Sequence, residues 1–168
     1  MDKRDSTQPV SSSIEIKFPL AVKVVMIDLD GTLLDTAGDL AISANIMLRK
    51  LGAVELPLVT IQSYIGKGIP NLVSKCLANS FSNTLGPEFL AKALKIYEQA
   101  YTENLCNMTR PYPKVIDGLR VFKKIGFRLA CITNKPEAFT LPLLRDTQLL
   151  NYFDIVLSGD SLPRKKPD

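Results

Sequence analysis

The segment "AVKVVMID", residues 21–28, constrains the fold more than any other part of the chain. It is a continuous run of apolar, largely β-branched residues, the composition of a strand covered on both faces in a parallel sheet. The run stops abruptly on Asp28. Asp30 follows after one residue, with Gly31 and Thr32 behind it. Two carboxylates this close repel each other unless a cation or a proton lies between them. The strand end is therefore expected to be a metal site, an acid–base site, or both.

The pattern downstream says what kind of sheet the strand belongs to. "FRLACIT" (127–133) and "FDIVLS" (153–158) read as strands, and helical segments at 115–125 and 136–147 alternate with them. Strands alternating with helices imply βαβ units and a parallel sheet. Between the first strand and this unit lies a stretch of different character. From Asp39 to Leu51 apolar residues recur at helical spacing, and Gly52 is placed to close that helix. A short helix, a turn at Gly66 and Gly68 and a helix with Pro70 in its first turn come next. From Pro87 to about Asn107, Leu90, Leu94, Tyr97, Tyr101 and Leu105 form an amphipathic stripe. "TRPYPK" (109–114) is a rigid break. The expected fold class is α/β: a Rossmann-like parallel-sheet core with an inserted all-helical cap. The expected domains are a disordered Ser/Thr/Pro-rich tail at 1–13, a core formed by 14–36 and 110–168, and a cap at 37–109.

Composition narrows the function. The 168 residues are 46% hydrophobic, enough to bury a core. The net charge of +4 comes from scattered lysines and arginines, with one dense cluster at Arg164-Lys165-Lys166 and no interleaved aromatics, so no nucleic-acid partner is expected. No run reaches the roughly 18 apolar residues of a membrane helix, and the N-terminus is polar where a signal peptide would be apolar. A cytoplasmic protein with no membrane partner is expected. With no histidine and three unpaired cysteines, catalysis would fall to carboxylates, Lys, Tyr, Ser/Thr or Cys.

In open parallel sheets ligands bind outside the carboxyl ends of the strands. Three such ends carry small or polar groups: Asp28-Leu29-Asp30-Gly31-Thr32, Thr133-Asn134-Lys135 and Ser158-Gly159-Asp160. Asp28 and Asp30 admit plainer readings, as turn formers or helix caps. An EF-hand loop is another, although its glycine belongs at position six and its flanks are helices. Hard oxygen ligands at a strand end suit Mg²⁺, which keeps waters and bridges to phosphate. "GKGIPN" (66–71) is faintly like a dinucleotide loop, but no strand precedes it and the third glycine is absent. Cys131 lies inside a strand without a histidine partner, which favours a packed core thiol.

"DLDGTLLDT" after an apolar strand, "ITNK" after the second strand and "KKPD" beyond the third resemble the motifs of the haloacid dehalogenase superfamily, in family order. The helical insert, with "YIGKGIPNLV", "PYPKVIDGL" and "SGDSLPRKKPD", is similar to the phosphoglycolate phosphatase-like members. The resemblance covers nearly everything from Lys23 to Asp168. It implies a Mg²⁺-dependent phosphatase acting on a small phosphorylated substrate, with 2-phosphoglycolate foremost. Asp28 would be the nucleophile that becomes an aspartyl-phosphate, and a Mg²⁺ ligand. Asp30 would be the general acid and then base, with its backbone carbonyl on the metal. Thr133 and the Asn134 amide would hold the phosphate, Lys166 would neutralise charge between phosphate and Asp28, and Gly66 would lie at the substrate. Such a cast fits a reaction governed by positioning and charge neutralisation, and carboxylate nucleophiles need no histidine.

The family pattern continues past Asp168 with another strand, a Gly-Asp and a second acid at the metal. The sequence is thus expected to be the front two-thirds of such an enzyme, three strands being retained and the C-terminal ones missing. Asp160, in "GDS", resembles the later Gly-Asp but precedes the lysine and has no acid four residues on. Without the further strand, "AVKVVMI" would be an apolar sheet edge, expected to recruit a partner or self-associate. Two other readings stay open: an inactive remnant or partner-dependent half, and a sugar phosphomutase of the same superfamily.

Overall fold

A computed structural model describes residues 22–82 and 86–167. The tail expected to be disordered, residues 1–13, lies outside the described residues. The first strand, β1, is Val24–Ile27 and is followed by a two-residue strand β2, Leu34–Asp35. Four helices come next: α1 Ala37–Lys50, α2 Leu58–Gln62, α3 Ile69–Ser80 and α4 Pro87–Glu103. After the short β3, Arg110–Pro111, the chain forms α5 Val115–Lys124, β4 Arg128–Ile132, α6 Glu137–Asp146, a 3-10 turn Leu150–Tyr152 and β5 Ile155–Leu157.

Strands β1, β4 and β5 make a parallel sheet in the order β1-β4-β5, with Val24 opposite Arg128 and Ala130 opposite Ile155. The alternation of strand and helix after residue 110 produces this order, because parallel neighbours need a crossover between them. The expectation of a first strand buried on both faces does not hold. Val24 is 43% and Met26 69% exposed: alternate residues of a strand share one face, and among the described residues that face of β1 lies open. The sheet is fastened at its β4–β5 end by Asp154. Its carboxylate accepts hydrogen bonds from the Leu129 amide (2.8 Å) and from Lys123 (3.1 Å). Those two donors, the amide first, hold the carboxyl below its ordinary value.

Two apolar clusters account for the packing. One joins the sheet to α5 and α6 through Leu29, Leu34, Leu119, Leu129, Leu143 and Leu144. The other joins α1 to α4 through Leu40, Met47, Leu48, Ile61, Val73, Cys76, Tyr97 and Tyr101, and takes in Phe139 of α6. Tyr101 and Phe139, 5.0 Å between ring centroids, are therefore where helical layer and core meet.

The chain crosses between the two clusters twice, and the crossings are tied together. Strands β2 and β3 pair antiparallel, Leu34 opposite Pro111 and Asp35 opposite Arg110. Segments of two residues carry no readable periodicity, so this ribbon is not legible in the sequence. Just beyond it Asp39, fully buried in the first turn of α1, accepts hydrogen bonds from the Met108 and Thr109 amides (2.9 and 2.8 Å) and from the Thr109 hydroxyl (2.8 Å).

Candidate active site

The loop after β1 folds back on itself. The Leu29 carbonyl accepts from the Leu33 and Leu34 amides, both at 3.0 Å, and the Gly31 amide donates to Leu34 O at 2.9 Å. Gly31 has φ +76°, a left-handed conformation that costs glycine little. This tight turn buries Leu29 and leaves the carboxylates of Asp28 and Asp30 on the side where β1 ends. The β4 and β5 ends reach the same place. Gly159 is packed so closely against the Asn134 carbonyl that a Cβ at 159 would collide with backbone. The Gly159 amide donates to Lys135 O at 2.8 Å. A side chain at 159 would push the two strand ends apart.

A narrow cleft opens over these ends, lined by Asp28, Asp30, Thr133, Asn134 and Lys135 below and by Leu40, Ile65, Gly66, Gly68, Ile69 and Leu72 of the helical layer above. The sequence-derived residues Asp28, Asp30, Thr133, Asn134 and Gly66 thus share one cavity. Lys166 joins them from the C-terminal loop, its Nζ donating to Asp28 Oδ1 at 2.6 Å and to the Ile132 carbonyl at 2.8 Å. The Asn134 side chain has a role that sequence reasoning missed. It donates to the Gly66 carbonyl at 2.9 Å and accepts from the Lys166 amide at 3.0 Å, joining the cap loop, the β4 end and the lysine loop.

Asp160 does not reach the cleft. Its Oδ1 accepts from the Glu137 amide at 3.0 Å, at the start of α6, so its carboxylate serves a helix end. Lys135, singled out only as part of a strand end, turns out to be buried. Its side chain is 2% exposed and its Nζ stands 3.2 Å from Asp30 Oδ1. Thr36, at the start of α1, makes no side-chain cap to its own helix because its hydroxyl donates to Asp30 Oδ1 at 2.8 Å. The signal for Lys135 lay in its position after Thr133-Asn134, but nothing local says that its partners are Asp30 and Tyr101.

Each catalytic-candidate carboxylate therefore has one oxygen engaged by a lysine. Among the described residues Oδ2 of each accepts no protein hydrogen bond. The Asp28 carboxylate, with the Asp30 backbone carbonyl two residues on, fits the ordinary way Mg²⁺ is held, by one or two carboxylates with waters and a phosphate completing the shell. No three carboxylate, cysteine or histidine side chains come together among the described residues.

Behind the nucleophile candidate, Cys131 is fully buried in β4. Burial, with Asp28 adding to it, pushes its thiol up to about 12. Burial alone pushes Cys76 up to about 11. Both stay protonated at neutral pH and offer no thiolate. With a thiol reagent at pH 8, the native chain is expected to react slowly at the half-buried Cys106 alone, and all three cysteines are expected to react once guanidinium unfolds it. Rapid native labelling of Cys131 would contradict this packing.

The model of the haloacid dehalogenase-like hydrolase family matches residues 25–168. The chain belongs to this family. Among the family's curated proteins, a phosphoglycolate phosphatase of Nitrosospira multiformis is 60% identical over 151 residues, which make up 90% of this chain and 66% of that protein. A phosphoglycolate phosphatase of Thiobacillus denitrificans is 47% identical over the same shares. The crystal structure of a predicted phosphoglycolate phosphatase from Haemophilus somnus superposes with a TM-score of 0.82 at 32% identity, covering 86% of this chain and 66% of that one. The chain thus spans about 66% of the length of these two curated relatives. No helix among the described residues is long and apolar enough to cross a membrane. The haloacid dehalogenase fold explains the position of the cleft: the parallel strands end together, and the helical insertion between β2 and β3 closes over them.

Proposed function

We propose that this haloacid dehalogenase-like chain carries the nucleophile, acid–base and phosphate-neutralising groups of a Mg²⁺-dependent phosphomonoesterase whose substrate is a small phosphoester, 2-phosphoglycolate. The observation that carries the reading is the pair Asp28–Lys166 at 2.6 Å, set at the mouth of a cleft that Asp30, Thr133 and Asn134 also line. A carboxylate held against a lysine at the end of a strand is arranged for an incoming phosphate, whose charge the lysine offsets as it approaches. Kinship with phosphoglycolate phosphatases at 60% and 47% identity supports the substrate.

In this reading an Asp28 oxygen attacks phosphorus and the bond from phosphorus to the leaving oxygen breaks. Asp30 delivers a proton to that departing alkoxide, giving an aspartyl-phosphate and the free alcohol. A water then attacks phosphorus while Asp30 takes its proton, the acyl phosphate bond breaks, and Asp28 is regenerated with release of inorganic phosphate. The Thr133 hydroxyl and the Asn134 amide orient the phosphoryl oxygens, and Lys166 offsets their charge. The Asp28 carboxylate and the Asp30 backbone carbonyl would hold Mg²⁺, which would supply charge neutralisation at the phosphate when bound.

The test is phosphate release from 2-phosphoglycolate by the purified 168-residue chain, with Mg²⁺ and with EDTA. Metal-dependent release is expected. A folded sample that releases none from this or any other small phosphomonoester would overturn the proposal.

A further inference from the structure

Lysine is almost never buried without a partner, and Lys135 is buried with three contacts that span the molecule. Its Nζ is 3.2 Å from Asp30 Oδ1, donates to the Tyr101 hydroxyl at 2.8 Å, and lies 4.6 Å from the centroid of the same ring. Tyr101 belongs to α4, the last helix of the insertion, and is fully buried between Tyr97 and Phe139, with ring centroids 5.9 and 5.0 Å away. Burial, together with the nearby Asp30 and Asp39, holds its phenol well above the ordinary value, so the hydroxyl stays neutral. The other donor on Asp30 Oδ1 is Thr36, where α1 begins. One oxygen of Asp30 is thus fixed from both ends of the helical insertion, and the other is left without a protein partner.

We propose that Lys135, braced by Tyr101, is a positioning residue for Asp30: it fixes the carboxylate so that Oδ2 alone is presented to the cleft, and it makes that orientation depend on how α4 is seated against the core. The role rests on the phosphatase reading above and concerns a residue to which that reading assigns no part. The Lys135 backbone amide donates to the Thr133 hydroxyl at 3.2 Å, a bond that a change of side chain leaves in place, whereas its ammonium group meets Asp30 and Tyr101, so loss of the side chain acts on proton delivery rather than on substrate binding. A side chain that only filled space would leave kcat unchanged once the protein is folded. A brace for the acid would be felt in kcat and not in KM.

The experiment compares Lys135→Met, Tyr101→Phe and the double variant in Mg²⁺-dependent phosphate release from 2-phosphoglycolate, after folding of each is verified by circular dichroism and thermal unfolding. Tyr101→Phe keeps the ring and its packing, so it serves if Lys135→Met does not fold. The expected result is a fall in kcat of about 100-fold for Lys135→Met and about tenfold for Tyr101→Phe, with KM changed less than about twofold. The double variant is expected to be no worse than Lys135→Met, because Tyr101 acts through Lys135. If the parent chain turns over and Tyr101→Phe or a folded Lys135→Met keeps kcat within twofold, or loses KM instead, the positioning role is wrong while the phosphatase reading stands. If the parent chain hydrolyses no phosphomonoester, the phosphatase reading falls and the role of Lys135 falls with it.

Discussion

Replacing Asp28 with Asn is expected to abolish phosphate release, by about 10⁴-fold or more in kcat, with little change in stability. The amide is close to isosteric with the carboxylate but lacks the charge and the nucleophilic oxygen, so no aspartyl-phosphate can form. Its cost to the fold is small. The Asp28 and Lys166 side chains are 37% and 36% exposed, and an ion pair in that setting contributes about 0–1 kcal/mol at most. Lys166 also keeps its hydrogen bond to the Ile132 carbonyl. The measurement is phosphate release from parent and variant at saturating 2-phosphoglycolate, beside their thermal unfolding midpoints. A variant that unfolds like the parent and still turns over within tenfold of it would mean that Asp28 is not the nucleophile.

The largest effect on stability is expected at a residue outside the cleft. Asp39→Ala should cost about 3 kcal/mol or more. The carboxylate is fully buried and is the acceptor for two backbone amides and a hydroxyl, those of Met108 and Thr109. Alanine removes the acceptor and leaves its donors behind, and each buried donor left unpaired costs about 1–3 kcal/mol. Entry of water through the exposed Met108 side would offset part of this. Asp39 also stands in the first turn of α1, where a negative charge complements the helix dipole. Asp39→Asn, which keeps one acceptor oxygen, should fall between parent and alanine variant. Denaturant unfolding checks this: the midpoint should drop with an unchanged slope. A loss below about 1 kcal/mol would mean that the two crossing segments are held by the β2–β3 ribbon and not by this carboxylate.

These two predictions differ in how far they could be read without coordinates. Asp28 was legible because its signal is local: an apolar strand that stops on two acids, a glycine and a threonine within five residues. The parallel sheet and most helix limits were legible for the same reason, since strand and helix periods and their Gly and Pro punctuation are short-range. The expected helix at 39–51 is α1, Ala37–Lys50, and the expected strand at 127–133 is β4, Arg128–Ile132. The short strands β2 and β3 were not legible, because two residues have no pattern and their pairing depends on residues 75 and 77 positions apart meeting.

What the sequence determined by itself was the order of strands and helices, the placement of Asp28, Asp30, Thr133 and Asn134 at strand ends, and the absence of histidine from them. Tertiary structure alone decided which lysine serves which acid, Lys166 on Asp28 and Lys135 on Asp30, across separations of 138 and 105 residues. It alone spent Thr36 on Asp30 rather than on its own helix, turned Asp160 away to cap α6, and made Asp39 a clasp. The physical reason is the same in each case. A side chain's identity and its local period are written in the sequence. A buried charge takes whichever partner the packing brings within hydrogen-bonding reach, and packing is a property of the whole chain.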